Sequence, residues 1–319
     1  MTAFGAIASI TTLNSAWVWA QTYPSKPIRL VVPFAPGGIT DIAARLLGVN
    51  LSERLGQTVI VENKAGGNQT IGTEYVANAA PDGYTLIMGT MGSHAVNASL
   101  RKDMKIDLRK DFSPISLVTV QPLVLLLNPR IEATSVDQLL QRIKANPGKY
   151  TYGSAGVGTT AHMAAELFQA KIGVKLVHVP YKGSGPMLTD LIGGRIDFAF
   201  DYAPTAMPQV KSGRLRALAV TSRKRAEFAP DLPPMNEFVH DFQVTAWQGL
   251  FAPAKTPVAI QEQLSREVQR IMKQPDVKAR LQEMGAEGVG NTPVEFSRFV
   301  QQEIDLWAEV VRGNNIQPD

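Results

Sequence analysis

Ile28-Arg29-Leu30-Val31-Val32-Pro33-Phe34-Ala35-Pro36-Gly37-Gly38-Ile39-Thr40-Asp41 is the stretch on which the fold turns. Its opening is short, apolar and rich in β-branched residues, as a buried strand is. The chain then crosses a Pro- and Gly-rich bend and enters a helical pattern through Ile42, Ala43, Leu46 and Leu47. Strand, glycine loop and helix in direct succession open a βαβ unit. Downstream, residues 58–62 predict a second strand, followed by the turn Ala65-Gly66-Gly67-Asn68 and a short helix near 70–79. The turn Pro81-Asp82-Gly83 and a strand at 84–89 complete the unit.

The same order returns in the middle of the chain. A strand at 150–154 enters Ala155-Gly156-Val157-Gly158-Thr159-Thr160, and a helix carries Met163, Ala164, Leu167 and Phe168. A strand at 174–179, the turn Lys182-Gly183-Ser184-Gly185, a helix near 186–192 and a strand at 195–200 follow. Gly37 answers to Gly156, Val59 to Val177 and Gly66 to Gly183 at a nearly constant spacing. Two such copies predict two α/β lobes, each with a largely parallel sheet. The β-like runs 115–128 and 244–251 are placed to be crossings between them. The expected lobes are then residues 23–124 with 248–319, and an inserted 125–247. The chain closes on helical patterns near 257–274 and 293–312. A double crossing of this kind is a hinge.

Ligands of open parallel sheets bind beyond the carboxyl ends of the strands, where helix N-termini point. Both glycine loops fall there. Phe34, Ala35, Pro36, Gly37, Gly38, Thr40 and Asp41 form the first candidate site, and Ser154, Gly158, Thr159 and Thr160 the second. Free amides at the positive end of a helix suit a carboxylate or a similar anion. Asp41 either caps its helix, orients the loop or contacts an amine of the ligand. Asp201 and Tyr202 end the strand at 195–200 and are candidate ligand contacts, Tyr202 as an aromatic wall beside Phe34 and Trp247. Thr90 and His94, after the strand at 84–89, and His162, in the second loop's helix, lie near the same edge. Neither histidine has a partner at metal-ligand spacing, so no metal and no cofactor is expected.

Composition narrows the function further. The 319 residues carry 45% hydrophobic and 19% charged side chains and a net charge of +4, with Lys and Arg scattered. No basic stripe for nucleic acid is visible. The absence of cysteine excludes disulfides, thiolate zinc sites and thiol catalysis. The uncharged, Ala- and aromatic-rich residues 3–20, ending Val18-Trp19-Ala20, predict an export signal at residues 1–22 cleaved near Ala20, although no Lys or Arg precedes the apolar run. No later apolar stretch is long enough to cross a membrane. No G-x-S-x-G elbow, H-E-x-x-H pair or Walker loop occurs. Gly156-Val157-Gly158-Thr159-Thr160-Ala161 fits the dinucleotide pattern G-x-G-x-x-A. The next strand, however, ends His178-Val179-Pro180-Tyr181-Lys182, without the acidic residue that would hold a ribose.

Several phrases then coincide with one family. Pro33-Phe34-Ala35-Pro36-Gly37-Gly38 with Asp41 and Arg45, Glu62-Asn63-Lys64, and Ala80-Pro81-Asp82-Gly83-Tyr84 are among them. Tyr152-Gly153-Ser154, the run from Val177 to Gly183, and Gly213-Arg214-Leu215-Arg216-Ala217-Leu218-Ala219-Val220-Thr221 are the others. Over residues 23–311 the chain resembles the Bug family, the extracytoplasmic solute receptors of tripartite tricarboxylate transporters. The resemblance implies a type II periplasmic-binding-protein fold, two Rossmann-like lobes joined by a two-strand hinge. It also implies a non-enzymatic, monomeric periplasmic receptor that holds a small carboxylate between the two glycine loops and serves a membrane permease. Tyr202 stands where the family usually has Asn, and Val157 where a polar residue is common; both are expected to make the distal pocket more apolar. The turn at Gly66-Gly67-Asn68-Gln69 is also altered. Two alternatives remain open at this point. One is a carboxylate sensor feeding a signalling system. The other is an exported enzyme using Ser154 and His162.

Overall fold

The computed structural model describes residues 23–318. The expected export signal and its cleavage point near Ala20 lie outside the described residues. In the first lobe β1 (Ile28–Val32) runs parallel to β2 (Val59–Asn63) on one side. On its other side β3 (Thr85–Thr90) is also parallel, with α1 (Ile39–Leu55) and α2 (Thr70–Ala77) as the crossovers. Successive strand residues face opposite sides. Leu30 and Val32 therefore pack with Leu47 and Leu51 of α1, while Val31 joins Val76 of α2 on the other face. Burial on both faces is why β1 reads as a continuous apolar run rather than an alternation.

A wide π turn (Gly92–Val96) leads into α3 (Asn97–Leu100) and then β4 (Phe112–Leu127), whose 16 residues serve both lobes. The second lobe follows as α4 (Val136–Ala145), β5 (Thr151–Ser154), α5 (Thr160–Ile172), β6 (Val177–Pro180), α6 (Ser184–Gly193), β7 (Phe198–Tyr202), α7 (Ala203–Lys211) and β8 (Arg216–Val220). β5 lies parallel between β6 and β7. The chain returns through β9 (Thr245–Pro253), antiparallel to β3 and β4, and adds α8 (Val258–Ile271) and α9 (Pro275–Glu283). A two-residue β10 (Glu287–Gly288) pairs with β4, and α10 (Pro293–Gly313) ends the fold. The strand order is β2-β1-β3-β9-β4-β7-β5-β6, with β8 and β10 also on β4.

β4 changes partners at Pro122. Up to that residue it pairs with β9; from Leu123 it pairs with β7 and β8. Proline has no amide to donate and suits such a break in a ladder. Thr221, fully buried, ties the two crossings together. Its hydroxyl accepts from the Leu123 amide at 2.8 Å and its own amide donates to Leu123 O at 2.9 Å. Its carbonyl accepts from the Val244 amide at 3.1 Å.

Some elements depart from the sequence expectation. β6 and β7 begin three residues later than the patterns at 174–179 and 195–200 suggest. Before β7, the Asp197 carboxylate accepts from both the amide and the hydroxyl of Thr151, adding side-chain bonds to the backbone bond from the Asp197 amide to Thr151 O at 3.2 Å. α4 is absent from the sequence expectation; it starts at Ser135, whose hydroxyl accepts from the Gln138 amide. α7 was hidden by its prolines: Pro204 sits in the first turn, where a missing amide costs nothing, and Pro208 lies inside. The pattern at 257–274 is α8, and a further helix that the pattern did not include, α9, starts at Pro275.

Candidate functional site

The first glycine loop is braced by a charge. Asp41, in the first turn of α1, is 3% exposed. Its carboxylate accepts from the Gly37 amide at 2.9 Å, Arg45 Nε at 3.0 Å and Asn63 Nδ2 at 2.9 Å. Asn63 Nδ2 also reaches Phe34 O at 3.1 Å. Burial works against this charge, but Arg45, the Gly37 amide and Asn63 outweigh it and hold the carboxyl below its usual range. Gly37 has φ +85°, a left-handed conformation that glycine adopts without strain. At Gly38 no side chain caps α1, so the first-turn amides stay open.

The second loop is braced by hydroxyls and imidazoles. Ser154 Oγ lies 3.3 Å from both the amide and the carbonyl of Gly156 and 2.7 Å from His178 Nε2. Thr159 Oγ1 donates to Gly156 O at 2.7 Å and accepts from the His162 amide at 3.4 Å, capping α5. The Gly158 amide donates to His162 Nδ1 at 3.2 Å, which leaves Nε2–H facing Glu166 Oε1 at 3.5 Å. The rings of His162 and His178 stack at 4.2 Å. Burial pushes His178 down to about 4, assisted by His162, so it stays neutral at pH 7.

The two loops meet across a cavity of about 210 Å³. Phe34, Ile39 and Thr40 line it from the first loop, Gly158, Thr159 and Thr160 from the second, and Thr90 and Tyr202 from strand ends. A Cβ at Gly158 would crowd Leu100 and approach Asn68 of the other lobe, so a glycine there permits the approach. Ala35, Pro36, Gly37 and Gly38 are exposed between lining residues Phe34 and Ile39. Burial raises the Tyr202 phenol further above its usual range, so it acts as a neutral hydroxyl.

Other candidates lie behind the wall. His94 is fully buried, stacked on Phe251 at 4.2 Å and edge-on to Phe112. Burial depresses its pKa to about 3, and Gly89 makes room for its ring. Asp201 is fully buried too, accepting from Ser184 Oγ and Thr205 Oγ1 at 2.7 Å each, so it joins α6 to α7. Burial raises its pKa against those two hydrogen bonds. Ser154 and His162 do not pair with each other. Ser154 bonds to His178, is fully buried, and neither it nor His162 lines the cavity.

Sequence inspection passed over Asn68, Gln69, Met91, Gly92, Ala246 and Gln248, which also line the cavity. Gln248 was legible as a lone amide in an apolar strand. Its Oε1 accepts from Thr119 Oγ1, and its Nε2 has no protein partner among the described residues. Asn68 and Gln69 take positive φ in the altered turn after β2. Among the described residues, no charged side chain lines the cavity, and no His, Cys, Asp or Glu group could hold a metal ion.

A hinged pair of α/β lobes with a small cavity between glycine loops defines a periplasmic-binding-protein fold of type II. The family model for the tripartite tricarboxylate transporter family receptor matches residues 43–316. Protein BugT of Bordetella pertussis is 38% identical over 300 residues, covering 93% of this chain and 92% of that protein. An R. palustris protein solved with adipate is 36% identical with a TM-score of 0.79, covering 93% of this chain and 100% of the other. MatC from Rhodopseudomonas palustris with bound malate is 34% identical with a TM-score of 0.75, over 91% of this chain and 100% of the other. The chain belongs to the tripartite tricarboxylate transporter receptor family.

Proposed function

We propose that this chain is an exported receptor that closes on one small carboxylate in the interlobe cavity and presents it to a membrane permease. The observation that carries the proposal is the open first turn of α1 facing the second loop across a cavity lined, among the described residues, by uncharged side chains. Free amides at the positive end of a helix stabilise a carboxylate without any cationic side chain. Thr40, Thr90, Thr159 and Thr160 add hydroxyls that accommodate either lone pairs or protons of a ligand. The adipate and malate in the two relatives support the same ligand chemistry. The lobes are taken as residues 23–124 with 248–318, and 125–247, limits within three residues of the changes in strand partner. The receptor acts as a single chain in the periplasm.

Catalysis is not part of the proposal. Ser154 and His178 are within hydrogen-bonding distance, but no carboxylate orients His178 among the described residues, and the serine is sealed from the cavity. The test is native mass spectrometry of the exported protein followed by thermal shifts with a panel of small carboxylates. A carboxylate that co-purifies and raises Tm without turnover is expected. A folded protein that no carboxylate stabilises would overturn the assignment.

A further inference from the structure

We infer that the ligand carries a single carboxylate on a compact apolar body, a conclusion that rests on the carboxylate-receptor assignment above and narrows its substrate class. Three observations carry it. The first is charge. Two helices, α1 and α5, bring first-turn residues to the cavity wall, Ile39 and Thr40 from one and Thr160 from the other. Each positive helix end is equivalent to about half a unit charge, so together they balance about one carboxylate. Among the described residues nothing else does: the lining has no Lys, Arg or His. Arg45 is spent on Asp41, and Asp201, directly behind Tyr202, is already a buried acid. A second carboxylate would be desolvated without a counter-charge.

The second observation is the nature of the remaining wall. Phe34, Met91, Ala246, Trp247 and Tyr202 present apolar surface. Trp247 is held in place by Nε1 donating to Glu303 at 2.9 Å, a carboxylate that also accepts from Trp307 at 2.9 Å. Such a wall takes the hydrocarbon part of an acid and returns hydrophobic free energy in proportion to the area covered. The third is Gln248. It lines the cavity and is 4% exposed, its oxygen is engaged by Thr119, and its Nε2 has no protein partner among the described residues. Like the lining hydroxyls, this neutral donor suits an acceptor on the ligand, a carboxylate oxygen or an ether or carbonyl beside it, but cannot neutralise a second charge. The volume of about 210 Å³ limits the body to a short chain or one ring.

Calorimetry with matched acids tests this. Hexanoate is compared with adipate, and benzoate with terephthalate, each pair differing by one carboxylate. The monoacid of at least one pair is expected to bind more tightly than its diacid by about a hundredfold. Gln69→Lys then adds a cation at a half-exposed lining position that already tolerates positive φ. It is expected to narrow that gap by about tenfold through improved diacid binding. Diacids binding as tightly as the monoacids, or Gln69→Lys leaving the ratio unchanged, would overturn the single-charge inference while the receptor assignment stands. If neither monoacids nor diacids bind to folded protein, both fall together.

Discussion

The two glycine loops occupy equivalent places in the two lobes, yet they are built on opposite electrostatic plans. The first is held by a buried charge, Asp41 with Arg45 and Asn63, and leaves its helix uncapped. The second is held by hydroxyls and imidazoles, Ser154, Thr159, His162 and His178, and its helix is capped by Thr159. A loop with open amides is ready to receive an anion; a loop with its amides largely satisfied is a finished wall. The repeat thus supplies one acceptor half and one closing half. Ligand binding should depend steeply on the first loop's brace and gently on the second's.

The largest effect is therefore expected at Asp41. Asp41→Ala removes three hydrogen bonds to a carboxylate, costing about 2–3 kcal/mol of stability. It also frees Gly37 to move, so carboxylate affinity should fall by about a hundredfold. Urea unfolding and calorimetry read the two effects separately. An affinity unchanged while stability drops would show that the first loop's shape is irrelevant to binding.

How much of this contrast was legible in the sequence depends on what each residue needed. Strand, glycine loop and helix followed one another with distinct periodicities, so both loops, both crossings and the family resemblance could be read directly. The cavity could not, because a strand's side chains face alternately and only the register says which face. Asp201 and Tyr202 are neighbours on β7, and the register sends the first behind the wall and the second into the cavity. His94 looked like a site residue because it follows a strand end. The π turn rotates it into the core against Phe251 instead. Likewise, Ser154 finds His178 rather than His162 because β6 lies beside β5, placing Pro180 opposite Ser154 and His178 within reach.

Acid should separate the loops next. A carboxyl held below its usual value contributes stability that is complete above about pH 4 and lost as pH falls through the depressed pKa. For Asp41 that loss is confined to pH below about 4. A buried neutral histidine behaves differently, because the unfolded chain binds its proton first, from about pH 6.5 downwards. His178, depressed to about 4, therefore makes stability decline between about pH 6.5 and pH 4, with His94, depressed to about 3, adding to the slope. His178→Asn should flatten part of the decline in denaturation midpoints across that window, and Asp41→Ala should leave it intact. A slope insensitive to His178→Asn would assign the acid response elsewhere.

A smaller effect is expected at the second loop itself. Ser154→Ala removes contacts to Gly156 and leaves His178 Nε2 without its partner, costing about 1 kcal/mol. Carboxylate affinity should change by less than about threefold, because the cavity wall is formed by Thr159 and Thr160 rather than Ser154. A loss as large as that at Asp41 would erase the distinction between acceptor and closing halves.

The smallest stability change should come from making the first loop resemble the second. Gly38 has φ −78° and ψ 169°, an extended conformation open to any residue, and a Cβ there would meet only Ala35 O at 3.9 Å. Gly38→Ser would therefore fit without strain and supply the cap that α1 lacks. Serine exceeds glycine at an N-cap by a few tenths of a kcal/mol, so the ligand-free protein should unfold at slightly higher urea. The same hydroxyl would occupy the amides that a carboxylate needs, and affinity should fall about threefold in consequence. Opposite signs for stability and binding, from one small side chain, are what an open helix end reserved for an anion requires. If Gly38→Ser strengthened both, the uncapped α1 would be only an imperfect helix start, and the acceptor role would have to pass to the hydroxyls of Thr40 and Thr90.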